Sequence, residues 1–475
     1  MRVFWGVSGS YRNCWILNWN DGNVNNNNLN NNNYVRPFAE CPDNVKVNYG
    51  NFKKKTCMTM YDNSITDTTD NADIPFADFV DAYYDCRKNK RRKASATEFE
   101  ADWESEIYRL YEEVNARTYE IGRSITFVTT RPKKREVFAA SFRDRIVHHL
   151  VCRKIEPLFE ARFIEDSYNC RKGKGTDYGV RRLYEKVEEV SCGYTRDCWI
   201  AKFDMQGFFM SIHKPTLWKM LEGFLEENYH GKDKSLVMWL VWKIAMHSPE
   251  KNCIRKMPES MWKDIPANKS LFTNGDEYGL PIGNLTSQMF ANFYLTEFDR
   301  WMSERFVYGR YVDDFFVIDT DKRKIIKSVP EMRRQLEKVR VTLHPHKVYI
   351  QHYTKGCSFI GGIVRMQRIY TCRRTVDNFV QAIGRLNRIS DKEQAAEQAV
   401  QQINSYLGFL KHRRTYRFRK KCIGMLDPSW YEYFYIVGEC EKMRLKYAYS
   451  PRARMNSIVE RMKNSTNNNK NMKKW

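Results

Sequence analysis

The chain has 475 residues, enough for two to four domains, and its 42% hydrophobic and 14% aromatic content supports a real core. Eighty Lys and Arg against 57 Asp and Glu leave a net charge of +23, a field that attracts a polyanion. With 28 Tyr and 27 Phe available for base stacking, nucleic acid is the leading partner, and an apolar run no longer than Leu236 to Trp242 argues against a membrane.

Taken in chain order, residues 23–33 contain nine Asn, a residue that competes with its own backbone for hydrogen bonds, so 1–38 read as an Asn-rich leader and 39–73 as a polar linker. Dense apolar periodicity starts at Ile74. "FADFVDAYYDCRKNKRRK" predicts an amphipathic helix running into a basic cluster, Arg87 to Lys93. "FEADWESEIYRLYEEV" predicts a second helix, with Phe99, Trp103, Ile107, Leu110 and Val114 on one face. "SITFVTTRPKKREVFAAS" predicts a hairpin about the basic turn Arg131 to Arg135, and a second basic loop follows at Cys170 to Thr176. The middle of the chain alternates strands and helices. From Thr375 to about Tyr449 the pattern is mainly helical and carries seven positive charges in the eleven residues Lys411 to Lys421. Residues 451–475 read as a basic, disordered tail. The thirteen Cys form no Cys-x-x-Cys pair and the first residues lack an apolar signal core, so reduced thiols in a cytoplasmic protein are expected.

Two stretches carry chemistry. "WIAKFDMQGFFMSI" sets Asp204 in an apolar run that reads as a buried strand, and "YGRYVDDFFVID" sets Asp313 and Asp314 between two apolar, aromatic runs. Asp suits a hairpin turn or a helix cap, so each stretch alone has a plain structural explanation. Together they do not, because adjacent carboxylates between apolar strands repel and are costly to desolvate unless a cation joins them. Hard oxygen donors suit Mg²⁺, and two such ions clamp an in-line displacement at phosphorus.

Tyr311-Val312-Asp313-Asp314 resembles the Y-x-D-D box of reverse transcriptases, and "FDMQGFF" resembles the first-acid motif of the same palm. The likeness runs over about residues 74 to 440. It implies an α+β right-hand polymerase: fingers within 74–198, a palm of antiparallel sheet backed by helices in 199–365, and a helical thumb in 366–450. It implies Asp204, Asp313 and Asp314 as catalytic and metal-holding acids, with Met205 joining the metal set, two Mg²⁺ (Mn²⁺ as the alternative), dNTPs, a template RNA, and a primer and cDNA strand. "GLPIGNLTSQMFANFYLTEFDRW" resembles the template and nucleotide loop with its helix, giving Gly279, Pro281, Ile282, Gly283, Ser287 and Gln288. Its stripe Phe290, Tyr294, Phe298 and Trp301 reads as core. The fingers motifs offer Lys133, Lys134, Arg135, Arg171 and Lys174 for triphosphate or template phosphates, a solvated basic face being the alternative for each and Arg135 the first choice. "LHPHKVYI" resembles the segment bearing a Lys that protonates pyrophosphate, which points to Lys347, with a plain surface Lys as the alternative. "GCSFIGGIV" resembles the primer grip, giving Phe359, Gly361 and Gly362. Phe209 falls where the family places a bulky side chain under the sugar, so a preference for dNTPs is expected.

Many members read Q-G-x-x-x-S-P in the central motif; this chain reads I-G-x-x-x-S-Q over Ile282 to Gln288. That variant resembles the reverse transcriptases of diversity-generating retroelements, within the group II intron-like bacterial family. The resemblance implies copying of a template-repeat RNA with errors at adenines, and a small basic helical accessory protein as partner. The segment from Phe4 to Phe38 resembles the variable segment of the lectin-like proteins such elements diversify, so the leader reads as a translated template repeat. A retron, group II intron or antiphage enzyme is the alternative, as is a non-catalytic RNA-binding scaffold. The 161 residues after Asp314 leave room for a thumb but not for maturase and endonuclease domains.

Overall fold

The computed structural model describes residues 3–8, 11–16, 72–88, 94–130, 133–450 and 455. The Asn tract, the linker as far as residue 71, residues 89–93 and 131–132, and the tail other than Met455 lie outside the described residues. Within the leader, β1 (Val3–Ser8) and β2 (Tyr11–Ile16) pair antiparallel.

The folded body begins with α1 (Phe76–Arg87), α2 (Ala94–Glu100) and α3 (Trp103–Asn115). The single helix expected over 99–114 is therefore two. The chain turns at Ala101-Asp102, so Phe99 reaches the shared core from α2 while Ile107, Leu110 and Val114 reach it from α3. The expected hairpin is present: β3 (Ser124–Thr129) pairs with β4 (Arg135–Ala139) in a register from Ile125–Ala139 to Thr129–Arg135. The long α4 (Phe142–Arg162) follows, capped by the Ser141 hydroxyl, which accepts from the Asp144 amide.

After α5 (Thr176–Val190) the chain enters β5 (Trp199–Asp204), the short α6 (Phe208–Ser211), α7 (Lys214–Asn228) and α8 (Lys234–Met246). A loop-rich stretch carries β6 (Cys253–Arg255), which joins the fingers sheet parallel to β3. Then come α9 (Leu285–Tyr294), α10 (Thr296–Ser303), β7 (Val307–Tyr311), β8 (Asp314–Asp319), α11 (Lys322–Glu337) and β9 (Tyr349–His352). The central sheet is antiparallel in the order β7-β8-β5-β9. Both of its faces are covered, which explains why β8 is apolar throughout rather than alternating. Phe315 and Val317 join the main core with Phe203 and the α9 residue Phe290, while Phe316 and Ile318 face α5 through Val180 and Leu183. The aromatic stripe is core, as expected, although Leu295 divides it between α9 and α10.

A small sheet of β10 (Cys357–Phe359), β11 (Gly362–Arg365) and β12 (Arg368–Thr371) leads to α12 (Arg373–Asn387), α13 (Lys392–Leu410) and α14 (Tyr416–Gly424). These helices have their own core, built on Phe379, Ile383, Ile403, Leu407 and Trp430. The thumb is not helical to its end: β13 (Phe434–Val437) and β14 (Lys442–Leu445) close it as a hairpin packed on α13. Mixed fingers, an antiparallel central sheet backed by helices and a separate helical unit make this the right-hand polymerase fold. No helix among the described residues is long and apolar enough to cross a membrane.

Candidate active site

The sheet register brings the separate acids together. Asp204 ends β5 directly opposite Asp314, which starts β8, and Tyr311 pairs with Asp314 across the β7–β8 hairpin. Val312 and Asp313 are therefore the two turn residues, and Val312 sits at φ +58°. A β-branched residue in that region is strained, and such strain persists only where surrounding contacts impose it. Two contacts hold the turn's own carbonyls, and a third holds the facing end of β5. The Met205 amide donates to the Asp313 carbonyl at 3.1 Å, the His344 amide donates to the Asp204 carbonyl at 2.8 Å, and Arg310 grips the Val312 carbonyl.

Burial pushes the Asp314 carboxyl up to about 6, and the nearby charges of Asp313 and Asp204 push the same way. Burial likewise raises Asp313, again with Asp204 adding to the effect, while Arg135 and Lys347 oppose it. Lys347 Nζ lies 2.9 Å from Asp204 Oδ1. Lys347 therefore stands at the acid cluster, paired with one of its members. Lys202, Lys347 and Arg135 oppose the repulsion among the three carboxylates, but among the described residues only Asp204 of the three has an ion-pair partner, so Asp313 and Asp314 are left without one, and the all-oxygen donor set fits a hard divalent cation. Among the described residues no three His, Cys, Asp or Glu side chains close around a single point as metal ligands do. The fit therefore rests on donor chemistry and charge. Met205 has a buried side chain and could offer only its backbone carbonyl.

Other expected residues fall into two groups. Arg135 is exposed on β4 and close enough to act electrostatically on Asp313. Lys133 is exposed beside it, and Lys134 pairs with Asp264 at 2.8 Å. Arg171 and Lys174 have neither of the expected roles. Arg171 is buried and donates to Glu160 at 2.9 Å and to the Ile164 and Ser167 carbonyls at 2.6 and 2.9 Å. Lys174 donates to the Glu165 carbonyl at 2.5 Å and meets its carboxylate at 3.1 Å. Both hold the loop on which they sit.

The central loop wraps the base of the site. Gly279 donates from its amide to the Ile212 carbonyl, and Leu280 to that of Phe209. Gly283 has φ +127°, and a Cβ there would lie 2.7 Å from the Phe138 carbonyl oxygen, so only Gly allows this approach to β4. Ile282 is half-buried, Pro281 and Ser287 are buried, and the half-buried Gln288 carboxamide meets the Cys170 thiol. Phe209 is half-buried between α6 and the loop. In the primer-grip segment, Phe359 is buried and pairs with Gly362 around an Ile360-Gly361 turn, both turn residues having positive φ. Any Cβ on Gly362 would strike Val180 of α5.

Sequence reasoning missed the buried network below the turn. Arg310 and Asp299 are paired at 1% and 2% side-chain exposure, and Arg310 also reaches Asn292 Oδ1 at 3.0 Å. The signal was there: a charge inside the apolar run around Arg310 requires a buried partner.

Residues 130–364 match the family model described as reverse transcriptase (RNA-dependent DNA polymerase). This stretch is a reverse transcriptase domain. It encloses all three acids, the central loop and the primer-grip segment. The chain is also similar to Protein YkfC of Escherichia coli strain K12, 23% identical over 297 residues, covering 55% of this chain and 71% of the relative. Among solved structures, apo telomerase from Candida tropicalis aligns with the chain at TM-score 0.41 and 12% identity, covering 64% of this chain and 56% of that one. Telomerase from Candida albicans in complex with the TWJ fragment of telomeric RNA aligns at TM-score 0.39 and 13% identity, covering 71% and 60%. The chain covers less than two thirds of either telomerase chain.

Proposed function

We propose that the chain is an RNA-directed DNA polymerase of the diversity-generating kind, copying a template-repeat RNA into cDNA with errors concentrated at adenines. The observation that carries the polymerase reading is the Asp204–Asp314 register pair with Asp313 in the adjoining turn, inside the reverse transcriptase domain. The observation that favours the finer reading is the I-G-x-x-x-S-Q loop, whose Ile282 and Gln288 differ from the common pattern where template and nucleotide meet.

The residues divide the work by position. Asp204, Asp313 and Asp314 would hold divalent cations, Mg²⁺ or Mn²⁺, which would neutralise charge developing on phosphate oxygens. Arg135 receives the triphosphate from the fingers side. Lys347, held at Asp204, is placed to give a proton to the departing pyrophosphate. Phe209 closes the space a ribose 2′-hydroxyl would need. Basic thumb residues follow the duplex backbone through phosphate contacts, so affinity for template and primer falls steeply with salt. A small basic helical accessory protein completes the assembly.

Primer extension on a mixed-sequence RNA with Mg²⁺, followed by deep sequencing of the cDNA, tests both levels, with Asp313→Ala, Asp314→Ala as the blank. Errors concentrated opposite adenine are expected. Synthesis with uniform fidelity, with and without a co-purifying partner, would move the chain to the retron, group II intron or antiphage kind. No synthesis above the blank would end the polymerase reading.

A further inference from the structure

The stretch between α8 and the central loop, residues 247–278, touches the walls of the nucleotide site on more than one side. Glu136, next to Arg135 on β4, is fully buried and accepts hydrogen bonds from Ser270 Oγ at 2.7 Å and from the Leu271 amide. On the other side of this stretch, the Asn268 carbonyl oxygen packs so closely on Gly207 that a Cβ there would lie 3.0 Å away. Gly207 is the left-handed residue that starts α6, the helix of Phe209. Between these contacts lies a small separate core: Phe138 of β4, Met210 of α6 and Leu271, with Phe209, Phe272 and Ile282 against it. The Phe138 amide donates to the Ile282 carbonyl at 2.8 Å, which ties the central loop into the same unit.

We propose that Glu136 and Ser270 form a clasp that fixes the distance between Arg135 and Phe209, and that this clasp sets sugar selectivity. The proposal rests on the polymerase reading and on Arg135 and Phe209 touching the incoming nucleotide. Glu136 is a positioning residue, since its carboxylate turns away from the acid cluster into the 247–278 stretch. Burial raises its carboxyl above the usual range, while the Leu271 and Ser270 hydrogen bonds pull it back, as an acceptor held by its donors would behave. The exposed Lys134–Asp264 pair adds little of its own, because surface ion pairs are weak. Removing the Glu136 carboxylate leaves the Leu271 amide buried without a partner, which loosens the stretch against β4.

The test is single-nucleotide incorporation on an RNA template with a DNA primer, comparing dCTP with CTP for wild-type, Glu136→Ala, Glu136→Gln and Ser270→Ala proteins. Glu136→Ala is expected to raise the KM for dCTP about tenfold with a smaller change in kcat, and to lower the dCTP over CTP preference by a similar factor. Ser270→Ala should shift both in the same direction by less. Glu136→Gln, which keeps an acceptor for the Leu271 amide, should stay near wild-type. Unfolding midpoints measured in parallel separate loss of fold from loss of positioning, and Ser270→Ala carries the test if Glu136→Ala does not fold. Folded Ser270→Ala and Glu136→Ala proteins with wild-type KM and sugar preference would overturn the clasp. Wild-type protein without Asp204-dependent synthesis would instead overturn the polymerase reading, and the clasp with it.

Discussion

Arg310 Nη1 donates to the Val312 carbonyl at 2.9 Å, so a residue at the end of β7 holds the strained turn that presents Asp313. Its Nε donates to Asp299 Oδ1 at 2.7 Å, and the Tyr308 hydroxyl donates to the same oxygen at 2.7 Å. The Arg310 amide and carbonyl bond to the Asp166 carbonyl and the Tyr168 amide, which fastens β7 to the segment before α5. The turn is fixed from beneath by a charge pair with almost no access to water. Breaking such a pair from one side leaves an uncompensated buried charge, at about 3–5 kcal/mol. Asp299→Asn should therefore lower the denaturant midpoint by a matching amount and reduce nucleotide incorporation as the turn relaxes. An unchanged midpoint would show that Arg310 finds other partners.

On the proposed reading Asp313 is one of the three acids that would hold the cations. Asp313→Ala should abolish incorporation while filter binding of RNA stays near wild-type, since phosphate contacts come from basic residues elsewhere. Synthesis that survives the change would remove Asp313 from the site.

Phe209 is the only aromatic of α6 that stays half-open; Phe208, its neighbour in sequence, is buried in the main core. Phe209→Ala should open space for a 2′-hydroxyl and bring ribonucleotide incorporation within about tenfold of deoxyribonucleotide incorporation. Sugar preference equal to wild-type would reduce Phe209 to a packing residue.

What the sequence disclosed, and what it hid, follows from where each signal lies. The hairpin at β3–β4 and the buried strands β5 and β8 were legible because period and turn chemistry are local. Asp204, Asp313 and Asp314 stood out because charge between apolar runs is costly wherever it occurs. The roles of Arg171 and Lys174 were not legible, since "CRKGKGT" looks the same whether its cations face solvent, phosphate or the Glu160 and Glu165 that hold them. The break at Ala101-Asp102 was hidden by a spacing of four from Phe99 to Trp103, which one helix or two helices satisfy equally. The Arg310–Asp299 pair joins a strand to a helix eleven residues earlier, and no periodicity reports a side chain's partner across a core.

The Asn-rich leader has no place in the division of labour among the site residues. On the reading that it is translated template repeat, deletion of residues 1–38 should leave the rate of primer extension unchanged within about twofold. A truncated protein that folds yet loses activity would sink that reading and give the leader a role in synthesis.

His148 provides a pH signature away from the acids. It lies buried on α4 beside the Thr286 hydroxyl of α9, with Asp144, Arg145 and His149 from its own helix and His247 from the end of α8 around it. Burial lowers its imidazole to about 4 from the usual 6.5; Asp144 opposes the shift, and His149, His247 and Arg145 add to it. In the unfolded chain the ring takes up a proton near 6.5, whereas in the folded protein it stays neutral until about 4. Between those values the unfolded state binds more protons, so this contribution is complete above pH 6.5 and is lost as pH falls toward 4, by about 3 kcal/mol in all. His148→Gln keeps a polar group against Thr286 and cannot titrate. The difference in unfolding free energy between the two proteins should shift in favour of the variant as pH falls from 7.5 to 5. Parallel pH profiles for both would mean that His148 titrates in the folded protein as it does in the unfolded chain.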